Sequence, residues 1–301
     1  MANFSDILSP KQECFITLHP NSKRPVEHAW PSNGQTFHNA HFKNHNIGLL
    51  LGEPSGLLDV DLDCETAVIL AKAILPKPHL RFGRDVSHSE HYLYRCSSSG
   101  PRKAFTADGV KTTIVELRGD SAQTMIPPSI HPDGDLLAWT DANDHEAVIT
   151  YDQLLQHVAL LAAASELMEY WIEGQRHSLA LGFAGLCSKS GVEPEQIQRT
   201  IKAICQATDD HEIEDRLSAV RTTLCREPQT NAGFKLLLDT LGDAVAQNIA
   251  ANLTAAFKFQ SLTQSMPIDT SHATVIELGQ FTDRANVTEA KMGLAFSQWL
   301  S

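Results

Sequence analysis

The chain has 301 residues, of which 42% are hydrophobic and 20% charged, and its formal net charge is −12. This composition is typical of a globular protein with a sizeable core, and the length allows two domains or one large one. Both halves are acidic: residues 1–150 carry 13 basic and 18 acidic side chains (−5), and residues 151–301 carry 11 and 18 (−7). A protein that grips nucleic acid by neutralising phosphates is usually basic, so any such contact here is expected to be local, weak, or helped by metal or another subunit.

Targeting and redox signals favour a cytoplasmic protein. The first twenty residues contain Asp6, Lys11 and Glu13, and no run of 18 or more apolar residues occurs anywhere. We therefore expect neither a secretory signal nor a membrane-spanning helix. The six cysteines form no C-x-x-C pair, which favours reduced, buried thiols over disulfides or a zinc site.

The most informative stretch is NIGLLLGEPSGLLDVDLDCETA, residues 46–67. An apolar run at 47–51 meets a turn through 53–56, and a second strand then carries Asp59, Asp61 and Asp63 at every other position. Alternate residues of a strand share a face, so the carboxylates converge while their apolar neighbours face a core. Crowded acids repel one another, and a divalent metal between them is the simplest remedy. The alternative is an edge strand whose acids face water, although aspartates are poor strand formers.

Further strands and one helix are predicted before residue 150. Residues 15–18 and 91–95 alternate as strands do, and residues 65–73 have a helical apolar stripe that ends before Pro76. Ser89 and His91 lie two residues apart, so on a strand they would share a face and could hold a phosphate oxygen or sugar hydroxyl. A surface serine beside a structural histidine is an equal alternative.

Residues 114–118 form another strand candidate, with Glu116 and Arg118 on one face, and Asp133-Gly134 marks a hairpin after Pro127-Pro128. SSSGPRKAFTADG, residues 97–109, is interpreted as a turn region. His38, His41 and His45 have spacings that would suit a metal on a helix, but solvated histidines are the favoured interpretation. Strands dominate this half, which predicts an α+β fold.

The pattern becomes helical after Thr150. A capping box at Thr150–Gln153 predicts the start of a helix. Further helices are expected over residues 176–191, 193–207 and 212–226, the last entered through Asp209, with one or two more over 234–257. We predict domains at 1–155 and 156–255, then a poorly defined segment at 256–301 that would begin a further region of a longer chain. No G-x-x-x-x-G-K-[ST] loop is present, which argues against an ATPase of that kind in these residues.

Four patches in order resemble a known family. They are Lys23-Arg24-Pro25 with Trp30, NIGLLLGEPSGLLDVDLD, GRDVSHSEHYLYR, and VELRGDSAQTMIPPSIHPDGDLLAW. Together, over residues 14–140, they resemble the bifunctional DNA primase/polymerase (prim-pol) family of the archaeo-eukaryotic primase superfamily. The segment from WIEGQRHSLALGFAGLCSKSG is similar to the helical domain that follows the core in many such proteins. The resemblance implies a catalytic core of mixed sheets around a metal site, followed by an all-helical domain.

The resemblance also implies roles for individual residues. Asp59, Asp61 and Glu116 match the family's metal-binding acids, and Ser89 and His91 match an S-x-H motif that contacts the incoming nucleotide's phosphates. Arg84, Arg118 and Lys23 lie near these motifs and could neutralise triphosphate charge, although each could equally pair with a neighbouring acid. Asp63 lies outside the motif and is expected to be a solvated strand end. Arg176 and His177 open a helix whose N-terminus could bind phosphate, but packing explains them as well.

The implied chemistry is nucleotidyl transfer with two Mg²⁺ or Mn²⁺ ions, on a single-stranded DNA template with nucleoside triphosphates. The product would be primers, made and extended during replication of a plasmid, phage or integrated element. Any helicase would be a partner in trans or lie beyond residue 301. Two alternatives remain open: a metal-dependent nuclease that uses the same acids, and a non-catalytic module that binds a replication origin or single-stranded DNA.

Overall fold

The computed structural model describes residues 14–34, 42–84, 90–107, 112–142, 147–226 and 233–257. The chain divides into two units, residues 1–260 and 261–301, and all described residues lie in the first. Within them are ten strands and seven α-helices, with a short 3-10 helix at Trp30–Ser32. The predicted α+β class is confirmed, as is the order of a sheet core followed by a helical region.

The strands are β1 to β10 in chain order, and their bounds are Phe15–Leu18, Asn46–Leu50, Leu57–Leu62, Leu80–Arg84, Glu90–Cys96, Lys103–Thr106, Thr113–Arg118, Gln123–Ile126, Leu137–Ala142 and Val148–Ile149. A three-stranded antiparallel sheet has the order β1-β2-β8. A seven-stranded sheet has the order β6-β7-β3-β5-β4-β9, with β10 added parallel to β5. The second sheet is therefore mixed, as predicted.

The acidic strand β3 lies in the interior of the larger sheet, between β5 and β7. All six of its residues are buried, so the edge-strand alternative is wrong. The chain enters β3 through a turn that begins at Gly52, whose φ of 77° is in the left-handed region that glycine favours. A Cβ at Gly52 would also meet Asp120, and the turn therefore requires glycine.

A hydrophobic core fills the space between the two sheets. It includes Phe15 and Leu49 from the smaller sheet and Leu80, Phe82 and Leu93 from the larger one, all nearly inaccessible to solvent. In the antiparallel register, Phe82 lies opposite His91, and Leu93 opposite Asp59. Residues directly opposite each other share a face, so the acids of β3 lie on the same face as this core.

The helices are α1 to α7 in chain order, at Glu65–Ile74, Tyr151–Met168, Arg176–Lys189, Pro194–Ala207, Ile213–Leu224, Gly233–Leu241 and Asp243–Thr254. The Thr150 capping box is present, with its hydroxyl accepting from the Gln153 backbone. Gly242, with φ 81°, separates α6 from α7. No helix among the described residues is both long and apolar enough to cross a membrane.

Two expectations about local structure are wrong. Residues 103–106, interpreted as part of a turn region, form β6 and pair with β7. Only Phe105 of this edge strand is buried, and so the sequence has little alternation to reveal it. Helix α5 spans Ile213–Leu224, close to the predicted 212–226, but Asp209 does not cap it: the N-cap is Glu212, and Asp210 turns inward and accepts a hydrogen bond from the Glu212 backbone.

The helical region packs directly on the larger sheet. Asn248 of α7 donates from its side-chain amide to the Thr106 carbonyl of β6 and to Glu166 of α2, both at 2.7 Å. Helix α2 is buried at twelve of its eighteen positions, between the sheet and the other helices. The predicted domain boundary near 155 falls inside this helix and stays a prediction.

Candidate active site: an acid row facing a basic wall

Three buried carboxylates lie side by side on adjacent strands. Asp61 of β3 is directly opposite Glu116 of β7 on one side and His91 of β5 on the other. Asp59, two residues earlier on the same face, lies opposite Arg118. The exposed fractions of Asp59, Asp61 and Glu116 are 0%, 3% and 2%. Buried carboxylates are costly unless they are compensated by cations or hydrogen bonds, so their surroundings decide what the site can do.

Arg118 compensates all three acids at once. Its Nε donates to Glu116 Oε2 at 2.5 Å, Nη1 is 3.7 Å from Asp59 Oδ2, and Nη2 pairs closely with Asp61 Oδ2. Burial alone would lower the pKa of Arg118, but the charges of Asp61, Asp59 and Glu116 raise it well above its ordinary value. The guanidinium is therefore a permanent cation in the middle of the acids.

His91 bridges the two aspartates from the other side. Its Nδ1 is 3.1 Å from Asp59 Oδ2, and its Nε2 is 3.3 Å from Asp61 Oδ1. The ring stacks on Phe82, with centroids 4.6 Å apart and planes within 4°. Burial would lower the pKa of His91, but Asp61 and Asp59 raise it above the ordinary value. Conversely, burial would raise the pKa of Asp59, and the nearby His91 and Arg118 lower it.

Arg102 reaches the acids from the segment before β6. Its Nε pairs closely with Glu116 Oε1, although its side chain is 66% exposed. Nothing in the sequence indicated this contact, because the loop containing Arg102 is brought to Glu116 only by the pairing of β6 with β7.

The acids open into a pocket of about 280 Å³. Its lining includes Asp61, Asp63 and Glu116 together with the basic side chains of Lys23, Arg84 and His131. Asp63 follows the end of β3 and is exposed, in line with the prediction of a solvated strand end. Partial burial and the charges of Asp61 and Glu116 raise the pKa of Asp63 to about 6.

We define the basic wall as Lys23, Arg84 and His131. The hairpin that contains His131 also contacts Arg84 and positions its guanidinium. Arg84 donates to Asp133 at 2.8 Å and lies 3.7 Å from Asp135 and 3.4 Å from the Nδ1 of His131. Burial and the nearby Lys23 and Arg84 lower the pKa of His131. His131 was not among the predicted site residues, although the P-P-S-x-H-P-x-G motif that contains it was noted.

The remaining predicted residues are placed as follows. Ser89, His38 and His41 lie outside the described residues. The Nδ1 of His45 donates to the Lys43 carbonyl at 3.1 Å, and the side chain is exposed. Arg176 donates to the Trp171 carbonyl and lies 3.7 Å from Asp210, which agrees with the packing interpretation.

The donor set suits a hard divalent cation. Asp61 Oδ1 and Glu116 Oε1 are buried and accept no hydrogen bond, although each has a cation beside it. Carboxylate oxygens are the ligands that Mg²⁺ and Mn²⁺ prefer. Among the residues that the structure describes, no group of three or more His, Cys, Asp or Glu side chains has the arrangement of a ready metal site. The acids are instead drawn toward Arg118 and His91.

Comparison with known proteins finds one family match, in the N-terminal part of the chain. A family model described as the N-terminal domain of bifunctional DNA primase/polymerases (Prim-Pol) matches residues 13–152. No curated protein matches the chain. The family match supports a function of the DNA primase/polymerase type, a DNA-directed nucleotidyl transfer that uses single-stranded DNA and nucleoside triphosphates, and the family generally depends on divalent metal.

Proposed function

We propose, since residues 13–152 form a domain of the Prim-Pol family, that this chain is a template-directed DNA primase/polymerase. The observation that carries the proposal is the row of Asp59, Asp61 and Glu116, of which Asp61 and Glu116 line a pocket with a basic wall and Asp59 is buried beside them. Acids on one side and cations on the other match the two ends of a metal-bound nucleoside triphosphate.

Asp59, Asp61 and Glu116 would hold one or two Mg²⁺ or Mn²⁺ ions. When bound, such ions lower the pKa of a 3′-hydroxyl and neutralise charge on the triphosphate and pyrophosphate. The two buried oxygens that accept no hydrogen bond, Asp61 Oδ1 and Glu116 Oε1, support this assignment. Three carboxylates on adjacent rigid strands also need little rearrangement to share a ligand.

The basic wall would bind the triphosphate. Lys23, Arg84 and His131 line the same pocket as Asp61 and Glu116, and the guanidinium of Arg84 can make a bidentate contact to phosphate. Arg84 is paired with Asp133 in the structure, so we infer that a phosphate would replace this partner. Ser89 would add a phosphate contact from the segment before β5, as the resemblance implies.

His91 would act mainly as a positioning residue. Both ring nitrogens face aspartate oxygens, and the stack on Phe82 restricts rotation of the ring. His91 can thereby keep Asp59 and Asp61 oriented toward a shared ligand, as groups that orient metal ligands do. Its direct contact with nucleotide phosphate, implied by the resemblance, remains a second role in this proposal.

The biological setting extends the same proposal. By the resemblance, the enzyme would make and extend primers in replication of a plasmid, phage or integrated element, and the helical region would help hold the template or first nucleotide. Neither the described residues nor the family match supports a helicase partner.

The test is nucleotide incorporation on a single-stranded DNA template with labelled nucleotides and Mg²⁺ or Mn²⁺. The reaction is run with and without an annealed primer, beside the double variant Asp59→Asn/Asp61→Asn. Unprimed products that disappear in the double variant would support primase and polymerase activity together, and extension of a primer alone would support only a polymerase.

The same assay separates the alternatives. Metal-dependent cleavage of the template when nucleotides are omitted would indicate the nuclease. DNA binding without synthesis or cleavage at saturating metal would indicate the non-catalytic module, and either result would overturn the proposal.

A further inference from the structure

We propose that Arg118 is an internal counter-ion that competes with divalent metal for the acid row. The proposal rests on the proposed function only in assuming that Asp59, Asp61 and Glu116 bind metal. It assigns to Arg118 a role opposite to that of a simple support: its side chain must withdraw from the acids before they can bind a cation fully.

All six carboxylate oxygens of the three acids already have close neighbours in the structure. Arg118 approaches one oxygen of each acid: Oδ2 of Asp59, Oδ2 of Asp61 and Oε2 of Glu116. His91 approaches both oxygens of Asp59 and the second oxygen of Asp61, and Arg102 approaches the second oxygen of Glu116. Every oxygen therefore has a cationic or protonatable neighbour, and a metal ion must displace at least one of them.

Arg102, His91 and Arg118 differ in how many carboxylate oxygens their departure would make available. Arg102 touches only Glu116, so its departure frees one oxygen. His91 is stacked on Phe82 within the sheet and is poorly placed to leave. Arg118 alone contacts all three acids. Its departure would free Oδ2 of Asp61 and Oε2 of Glu116, while Oδ2 of Asp59 would keep His91 as its neighbour. Arg118 is thus the neighbour whose movement makes the most carboxylate oxygens available to a metal ion.

Electrostatics requires that movement. A guanidinium and a divalent ion within a few ångströms of each other repel strongly at the dielectric constants effective in protein sites. The acids supply three negative charges, which Arg118 and Arg102 already reduce to one. Retaining Arg118 in place would leave too little negative charge for even one divalent ion to be bound well.

The pocket has space for the Arg118 side chain after it withdraws from the acids. Its side chain is 20% exposed and lines the same cavity of about 280 Å³ as the basic wall. A guanidinium that leaves the acids remains in this cavity, where a triphosphate can take the place of the carboxylates as its anionic partner. Metal and nucleotide would then stabilise the same withdrawn position of Arg118.

The test measures Mn²⁺ binding to the full chain without nucleotide or DNA, from the electron paramagnetic resonance signal of free Mn²⁺. We expect Arg118→Met to bind Mn²⁺ at least about tenfold more tightly than wild type. By Coulomb's law, loss of a positive charge within a few ångströms of the metal favours binding by more than this factor. The matched control Arg102→Gln, on the exposed partner of one acid only, is expected to change the affinity by less than about threefold.

Thermal unfolding provides a second readout. Without metal, Arg118→Met should melt at a lower temperature than wild type, because three buried acids lose their shared cation. Added Mn²⁺ should raise its melting temperature more than that of wild type, by the linkage of binding to stability. If Arg118→Met does not fold even with Mn²⁺, Arg118→Lys decides, since a lysine keeps the charge but cannot reach three acids at once; its affinity should still exceed that of wild type.

Equal or weaker Mn²⁺ binding by the variants would overturn the proposal and make Arg118 a support that assembles the acids. No Mn²⁺ binding by any variant would overturn it as well. Because these measurements contain no substrate, tighter binding without DNA synthesis would leave the inference standing and refute only the proposed function. DNA synthesis by wild type together with unchanged Mn²⁺ affinity in the variants would refute the inference and leave the proposed function standing.

Discussion

At the scale of single residues, two aspartates only two positions apart have very different surroundings. Asp61 is 3% exposed and contacts Arg118 and His91, whereas Asp63 is exposed and follows the end of β3. Both line the pocket. The position of each relative to the last residue of the strand therefore decides whether the carboxylate is buried among charged partners or solvated.

This difference predicts unequal effects on catalysis. Asp61→Asn should lower the rate of nucleotide incorporation at least about 100-fold, because it removes a charged ligand worth several kcal/mol in the transition state. Asp63→Asn, its matched control, should stay within about threefold of wild type. Single-turnover incorporation with saturating nucleotide measures both. Equal losses in the two variants would mean that Asp63 also belongs to the ligand set.

The sequence was sufficient to place the acids, His91 and Arg118 on strand faces, but not to predict the contacts of Arg102 and His131. Alternation along β3 and β7 placed Asp61 and Glu116 each on one face of its strand, and the structure brings those faces together. The contacts of Arg102 with Glu116 and of His131 with Arg84 depend on strand order and on the hairpin after Pro128. Such contacts join residues far apart in the chain, and no local periodicity records them.

At the scale of elements, two side-chain amides of α7 contact the larger sheet. Asn248 donates to the Thr106 carbonyl and to Glu166, which is only 3% exposed, and Asn252 approaches the same carbonyl at 3.4 Å. Loss of the shorter-range Asn248 donor would remove one hydrogen bond from each acceptor. The junction between the helical region and the sheet is therefore sensitive to this side chain.

Asn248→Ala should lower the free energy of unfolding by about 1–3 kcal/mol. Gln247→Ala, at the exposed neighbouring position of the same helix, should change it by less than about 0.5 kcal/mol. Urea denaturation followed by circular dichroism measures both variants. An unchanged midpoint for Asn248→Ala would show that the amide does not fasten α7 to the sheet.

A buried carboxylate organises the helices in the same way. Asp210, 2% exposed, accepts from Trp171 Nε1 and from Arg216 Nε, both at 3.1 Å. Burial alone would raise the pKa of Asp210, but the Glu212 backbone, Trp171 and Arg216 hold it below its ordinary value. A depressed pKa in the folded state means that the stabilisation is complete at neutral pH and is lost as the pH falls toward that pKa.

Asp210→Asn should therefore destabilise the protein by about 3 kcal/mol near neutral pH, because the buried Arg216 loses its buried charge partner and keeps only the exposed Glu212. The difference from wild type should shrink as the pH falls below about 4, where the carboxyl protonates in the unfolded wild-type chain, and the charge-dependent part should be lost below the depressed pKa of the folded state. Urea midpoints of both proteins across this range give the comparison. A difference in urea midpoint that stays constant with pH would contradict the charge-based explanation.

Helices were easier to predict than sheet order. The Thr150 capping box and the left-handed Gly191 and Gly242 mark helix ends locally, and the observed bounds lie within a few residues of the predicted ones. The strands Phe15–Leu18 and Leu57–Leu62 were also visible as apolar or alternating runs. Strand β6 was missed, because an edge strand with one buried side chain carries almost no pattern.

At the scale of the whole molecule, the acidity of the chain and its proposed contact with nucleic acid are compatible. The net charge is −12, yet three acids of the candidate site are neutralised internally by Arg118, Arg102 and His91. Lys23, Arg84 and His131 line the same pocket as Asp61 and Glu116. Binding of DNA is accordingly expected to be local and to depend strongly on the nucleotide and metal already present.

The most direct test of the central claim is whether a template dictates the nucleotide that is incorporated. Four homopolymer DNA templates are each incubated with the full chain, Mn²⁺ and one labelled nucleotide at a time. We predict incorporation only of the nucleotide complementary to each template. Incorporation that ignores the template would contradict template-directed synthesis, and the absence of any incorporation would remove the polymerase assignment altogether.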